Sequence, residues 1–222
     1  MISFLQKLIA SISLISSAAC VSGAMAANHG PYPDEWWKPV DRGSAASWEI
    51  LPQEAGPGEV ILSKRTELGI LSNFAATPFA LDGKNYASVE GFWQMMKYPE
   101  DANDERLKDP AVHWPFTREQ VMQMTAFDAK NAGSIANKNM KKLGIRWVTY
   151  NGKKIDYLEN SKGDFYQLIW QAENAKLNQN PTVKEVLRKT GDLRLKPDHH
   201  QDPSEAPAWK YYEIWMEIRA QL

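Results

Sequence analysis

Apolar and polar residues along this chain follow several distinct rhythms, and each predicts a different element. Val60-Ile61-Leu62 is a short apolar run that suits a buried strand. From Phe79 to Tyr86 apolar positions alternate around Asp82-Gly83, a pair that tolerates the positive φ of a tight turn, so this stretch predicts a hairpin. Ser88 is a good N-cap for a helix from Val89 to about Tyr98, with Pro99 supporting its end. Thr117 with Gln120 makes a capping box that opens a helix to about Phe127. A further helix is expected through Ile135 to Leu143, with Gly144 as its stop. Asn151-Gly152, flanked by β-favouring residues between Trp147 and Tyr157, predicts a second hairpin. Phe165, Leu168, Ile169, Ala172 and Ala175 stand at helical spacing between Asp164 and Asn178. Asn180-Pro181 opens another helix, which Gly191 closes, and a last helix runs from about Trp209 to Ala220. The resulting class is α+β: one helix-dominated domain with a small antiparallel sheet.

The first residues behave differently. Leu8 to Val21 are apolar or small, Lys7 precedes them, and Ala24-Met25-Ala26 supplies small residues at the positions a signal peptidase reads. Residues 1–26 are therefore expected to be a signal peptide cleaved after Ala26, which makes the mature chain secreted or periplasmic, with no transmembrane span after processing. A retained anchor and lipidation at Cys20 are the weaker alternatives. Cys20 is the single cysteine, so the mature chain would contain no thiol at all, which suits an oxidising compartment. Residues 27–58 follow as an irregular arm with Pro31, Pro33, Pro39, Pro52 and Pro57, interleaved with Trp36, Trp37 and Trp48. Packing of these aromatics onto the domain is the expected role. A flat carbohydrate-stacking platform of the three tryptophans is the rival one. Residues 59–222 form the domain proper.

Charge and composition then narrow the chemistry. Lysine and arginine total 26 against 27 aspartates and glutamates, a balance that speaks against a strong nucleic-acid patch. A single cysteine excludes an internal disulfide and a multi-cysteine zinc site. His199-His200 with Asp202 offers at most two converging ligands, too few for a stable metal site. The helix after Ser88 is more informative. Glu90, Gln94 and Lys97 at i, i+4 and i+7 share one face. A carboxylate, an amide and an amine in line can support bond cleavage if that face is concave. The same spacing fits an ordinary solvated helix face. Leu71-Ser72-Asn73-Phe74 lies between strand signals, where Ser72 and Asn73 can bond a ligand or simply satisfy the turn.

These segments carry a resemblance. Gly69-Ile70-Leu71-Ser72-Asn73-Phe74, then Pro78 to Lys84, then Ser88-Val89-Glu90-Gly91-Phe92-Trp93-Gln94-Met95-Met96-Lys97-Tyr98 resemble the NADAR family of YbiA-like N-glycosidases. Lys176-Leu177, Leu187 to Asp192 and Met216 to Arg219 resemble its later blocks, so the likeness spans about residues 59–222. The resemblance implies a YbiA-like fold and hydrolysis of the N-glycosidic bond of a riboside, nucleotide or ADP-ribose adduct through a lysine Schiff base, with no metal and no cofactor. It implies Lys97 as nucleophile and Glu90 as acid/base or stabiliser of the ribose. It assigns substrate contacts to Ser72, Asn73, Phe74, Trp93 and Gln94. The chain departs from the family pattern at Gly91, where a histidine follows the glutamate, and at Gly133-Ser134, where a glycine-arginine pair is usual. These departures keep a non-catalytic nucleotide or ADP-ribose binder on the same fold as the alternative function.

Overall fold

The two Xaa-Gly pairs take the backbone their composition favours. Asp82 and Gly83 have φ of 50° and 75°, as do Asn151 and Gly152, and each pair closes a two-residue hairpin. Six short strands and six α-helices make up the fold of the described residues. The strands are numbered in chain order. They are β1 (Glu59–Ile61), β2 (Phe79–Leu81), β3 (Lys84–Tyr86), β4 (Trp147–Tyr150), β5 (Lys153–Asp156) and β6 (Arg194–Lys196). The helices are α1 (Val89–Met95), α2 (Arg118–Met122), α3 (Ala126–Lys142), α4 (Asp164–Gln179), α5 (Pro181–Lys189) and α6 (Tyr211–Arg219). This computed structural model describes residues 29–222. The expected leader over residues 1–26 and Cys20 lie outside the described residues. Pro31–Leu222 form one compact unit, and among the described residues no helix is long and apolar enough to cross a membrane.

The class is α+β and helix-dominated, but the strands do not merge into one sheet. They form three two-stranded ribbons, β2–β3 and β4–β5 antiparallel and β1–β6 parallel. Strand β6 has no counterpart in the sequence pattern. Three residues are too short for alternation to register, and its partner lies far away in the chain: Val60 faces Leu195, both fully buried.

Helix α1 is the centre of the unit. Ser88 caps it, its hydroxyl accepting from the Gly91 N–H at 2.9 Å. Val89, Phe92 and Met95 are buried, and the helix packs against α2, α3 and α4. Gly91 lets the segment between α2 and α3 come close, since a Cβ there would stand 2.6 Å from the Met124 carbonyl oxygen. The chain keeps glycine at this position for a steric reason that spacing along the sequence does not reveal.

Three helix boundaries differ from expectation, the largest at α3, which begins at Ala126 rather than near Ile135. The helix opened by Thr117 ends at Met122 rather than near Phe127. The Met122 carbonyl accepts from Ala87 N–H at 3.0 Å and the Met124 carbonyl from the Ser88 hydroxyl at 2.9 Å. Those oxygens are thereby drawn toward the α1 N-terminus. Ala126 then restarts the helical path with φ of 48°. Helix α1 stops at Met95, not Tyr98, because its last bonds tighten to the i→i+3 kind: Lys97 N–H to Gln94 and Tyr98 N–H to Met95.

The arm packs rather than forming a platform. Trp36 and Trp37 are buried in the core cluster, whereas Trp48 is exposed. The Trp36 indole N–H donates to Glu67 at 3.2 Å and that of Trp37 to the Glu59 carbonyl at 3.0 Å. Tyr32 bonds Asp192 and stacks on Trp36 at 6.1 Å. Truncating Trp36 removes the largest of these anchors. Trp36→Ala is expected to lower unfolding free energy by about 3–5 kcal/mol in urea titration. A loss below about 1 kcal/mol would mean that the arm is not fastened through this ring.

Candidate functional site

The loop that follows the 3-10 turn Glu67–Leu71 is held by its carbonyl oxygens. Leu71 accepts from the Trp215 indole at 2.6 Å, and Ser72 from the Lys176 ammonium at 2.8 Å. Asn73 accepts from the Glu90 N–H at 2.9 Å and Phe74 from the Ala126 N–H at 3.2 Å. Four successive carbonyls are thus pinned by α6, α4, α1 and α3. The Ser72 hydroxyl accepts from Phe74 N–H at 3.2 Å, which closes the turn. The four carbonyls are thus satisfied, while the Asn73 side-chain oxygen is buried without a partner among the described residues.

A cavity of about 540 Å³ opens beside this loop. Ser72, Asn73, Phe74, Glu90, Trp93, Gln94 and Lys97 all line it. The helix face carrying Glu90, Gln94 and Lys97 is therefore concave-side and buried, not solvated: these three are 6%, 4% and 1% exposed. A second hollow of about 650 Å³ is lined by arm residues, Trp36 among them, together with Arg65 and Glu67, and contains none of the seven.

Lys97 owes its direction to the end of α1. The Met96 carbonyl accepts from Arg106 at 3.0 Å, Arg118 at 3.3 Å and the Thr149 N–H at 3.2 Å, and Arg118 also reaches the Tyr98 carbonyl at 2.8 Å. Arg106 and Arg118 are themselves buried, and both donate to the Thr149 hydroxyl. With the carbonyls on either side fastened outward, the Lys97 side chain is directed into the cavity. Its Nζ sits 3.9 Å from the centre of the Trp93 ring and 5.7 Å from that of Tyr157, a cation–π arrangement. Among the described residues it forms no ion pair. Burial pulls its pKa down to about 7, against an opposing pull from the charge of Glu90.

The Glu90 carboxyl is placed by its neighbours one turn on. It accepts from the Gln94 amide at 2.8 Å and the Trp93 indole at 3.2 Å. Burial raises its pKa, and those two bonds together with Lys97 and Lys130 resist the rise. Desolvation thus biases both groups toward their neutral forms, a free amine and a carboxylic acid. Gln94 fits because α3 presents Gly133, where a Cβ would lie 1.7 Å from the Gln94 Oε1.

Several lining residues have no signal in the sequence. Tyr157, Phe165 and Trp209 join Trp93, already expected at the site, in an aromatic wall, with Tyr157 stacked on Trp209 at 6.4 Å and 20°. Trp48 of the arm also faces the cavity. His199 and His200 both line it, although adjacent side chains in an extended segment are expected to diverge. His199 pairs with Asp198 at 3.1 Å, not with Asp202, which caps its own turn through Ser204. Among the described residues, no three acidic, histidine or cysteine side chains converge as a metal site would require. Behind the loop, Glu173 and Lys176 of α4 are fully buried. Burial drives the first up to about 8 and the second down to about 8.

No protein-family profile and no curated protein matches this chain. Among solved structures, it is similar to the NMR structure of the E. coli protein YbiA. That likeness has 19% identity and a TM-score of 0.44, and it covers 72% of this chain and 80% of the other.

Two measurements follow from the site's geometry. In a double-mutant cycle, Gln94→Ala is expected to cancel most of the cost of Gly133→Ala, which overpacking sets at about 1–3 kcal/mol. Additive losses would show that Gln94 does not occupy that space. For Lys97, the folded value of about 7 lies below the ordinary 10.5. Between those limits the unfolded chain binds the extra proton, so folding gains stability as pH rises. The stability of the wild type relative to Lys97→Met is expected to climb from about pH 7 to 10.5, and a flat difference would place the amine in water.

Proposed function

We propose that this chain is an exported hydrolase that cleaves the N-glycosidic bond of a riboside, nucleotide or ADP-ribose adduct, with Lys97 as nucleophile and Glu90 as the proton-transfer group. The observation that carries this reading is a buried amine that forms no ion pair among the described residues, resting on the Trp93 face in the same cavity as a buried carboxyl. An amine with a pKa of about 7 is substantially unprotonated at neutral pH, which is the form that attacks carbon.

In the first step the Nζ lone pair adds to the ribose C1. The C1–N bond breaks and its electron pair leaves with the base, which takes a proton from the Glu90 carboxylic acid. The new secondary ammonium returns a proton to the Glu90 carboxylate. The nitrogen lone pair then forms a C=N bond as the C1–ring-oxygen bond opens, and the remaining N–H proton moves to that oxygen. Water adds to the imine, and the carbinolamine collapses to the free Lys97 amine and the sugar aldehyde. Asn73 has an unpartnered side-chain oxygen suited to a ribose hydroxyl. Phe74 and the Trp93 wall offer surfaces on which a base can stack.

A non-catalytic binder is the second reading. It is favoured by the two donors already on the Glu90 carboxyl, which oppose its protonated form.

Borohydride reduction during incubation with ADP-ribosylated nucleoside or riboside substrates separates the two. A stable sugar adduct on the tryptic peptide containing Lys97 is expected, absent in Lys97→Ala and strongly reduced in Glu90→Gln. Ribose release without any adduct would sink the lysine mechanism, and binding without release would leave the binder.

A further inference from the structure

Among the described residues, the exposed large apolar side chains are Trp48 (47%), Leu107, Phe127 (51%) and Leu222. The two aromatic ones both line the cavity that contains Lys97. We propose that Trp48 and Phe127 form an outer stacking subsite that takes a second planar ring of the substrate, joined through phosphate to the riboside at Lys97. The proposal rests on the reading above for the riboside and adds what lies beyond it.

Both residues sit on fixed backbone while about half of each stays exposed. The segment carrying Trp48 is fixed at the two residues that follow it. Arg42 donates to the Glu49 carbonyl at 2.8 Å, and Arg65 grips the Glu49 carboxylate with two bonds of 2.6 and 2.8 Å. The Ile50 N–H donates to the Asp198 carbonyl at 2.9 Å. No ring among the described residues stacks on Trp48. Phe127 follows Ala126, whose φ of 48° is uncommon for a residue with a Cβ. Such local strain persists where the surroundings impose it, and it clusters at binding sites. Here it accompanies an edge-on contact of Phe127 with Phe74 at 5.4 Å.

The charges beside these rings suit a phosphate linker. Lys130, one turn along α3, holds its Nζ 5.8 Å from the Phe127 ring and 5.9 Å from that of Phe74. Among the described residues it has no carboxylate within ion-pair distance. Lys64 lies 5.2 Å from the Phe74 ring and shares Asp198 with His199. Ammonium groups among aromatic faces recognise an anion next to a planar ring. A cavity of about 540 Å³ also falls within the range of about 300–1,000 Å³ that encloses a ligand of several rings.

Calorimetric titration of the full chain with ADP-ribose, which carries a second ring, and with ribose 5-phosphate, which does not, tests the subsite. Trp48→Ala and Phe127→Ala are each expected to weaken ADP-ribose about tenfold, the lower range of single-base stacking, and to leave ribose 5-phosphate within about twofold. Trp48→Phe is expected to restore most of the affinity. Equal losses for both probes, no loss for ADP-ribose, or no binding of ADP-ribose by the wild type would each overturn the proposal. The chemistry stands or falls separately. A Lys97 adduct that forms while Trp48→Ala binds normally removes the subsite alone. Ring-dependent binding without an adduct removes the lysine mechanism alone.

Discussion

A buried carbonyl oxygen must find a donor, and around this cavity the donors come from distant parts of the chain. The Leu71–Phe74 loop hands four successive oxygens to Trp215, Lys176, Glu90 and Ala126. The end of α1 hands Met96 and Tyr98 to two buried arginines and to β4. These bonds fix the backbone on both sides of the cavity and leave side chains, not main chain, to face a ligand. The direction of Lys97 and the placement of Asn73 are consequences of where the oxygens are satisfied.

The same economy separates two buried lysines. Lys176 meets its burial by donating to the Ser72 carbonyl, with Glu173 one turn earlier on the same helix, so its charge is absorbed into the frame. Among the described residues Lys97 donates to no oxygen. It rests against Trp93, whose own N–H goes to Glu90. The indole therefore couples amine and carboxyl through one rigid ring without allowing them to form an ion pair. An ion pair would hold both groups charged and keep the amine's lone pair protonated. The aromatic partner favours the ammonium less than a carboxylate at ion-pair distance would, so burial still lowers the pKa.

What was legible in the sequence was local. Asp82-Gly83 and Asn151-Gly152 specify their turns through residue conformational preference alone, and the Ser88 cap needs only the N–H three residues ahead. The shared face of Glu90, Gln94 and Lys97 was legible from spacing, but whether it was wet or buried was not, because the opposing surface comes from α3, α4 and the arm. Strand β6, the break between α2 and α3, and the pairing of His199 with Asp198 depend on partners remote in the chain. Gly91 and Gly133 stand out in the sequence only as departures from a family pattern. In the structure they are the positions where α1 meets the Met124 carbonyl and where α3 makes room for Gln94.

The parallel pairing of β1 with β6 has a kinetic side. Glu59 meets Arg194 across almost the whole domain, so loop-closure entropy must be met before that ribbon returns any free energy. The capped helix α1 and the two hairpins need only near neighbours and are suited to form early. Trp48 and His199, held together by the Glu49–His199 bridge, belong to the late-forming edge. Helix α1, which carries the inner carboxyl, can thus form early, while the outer mouth of the cavity closes only when the segments around Glu49 and His199 have met.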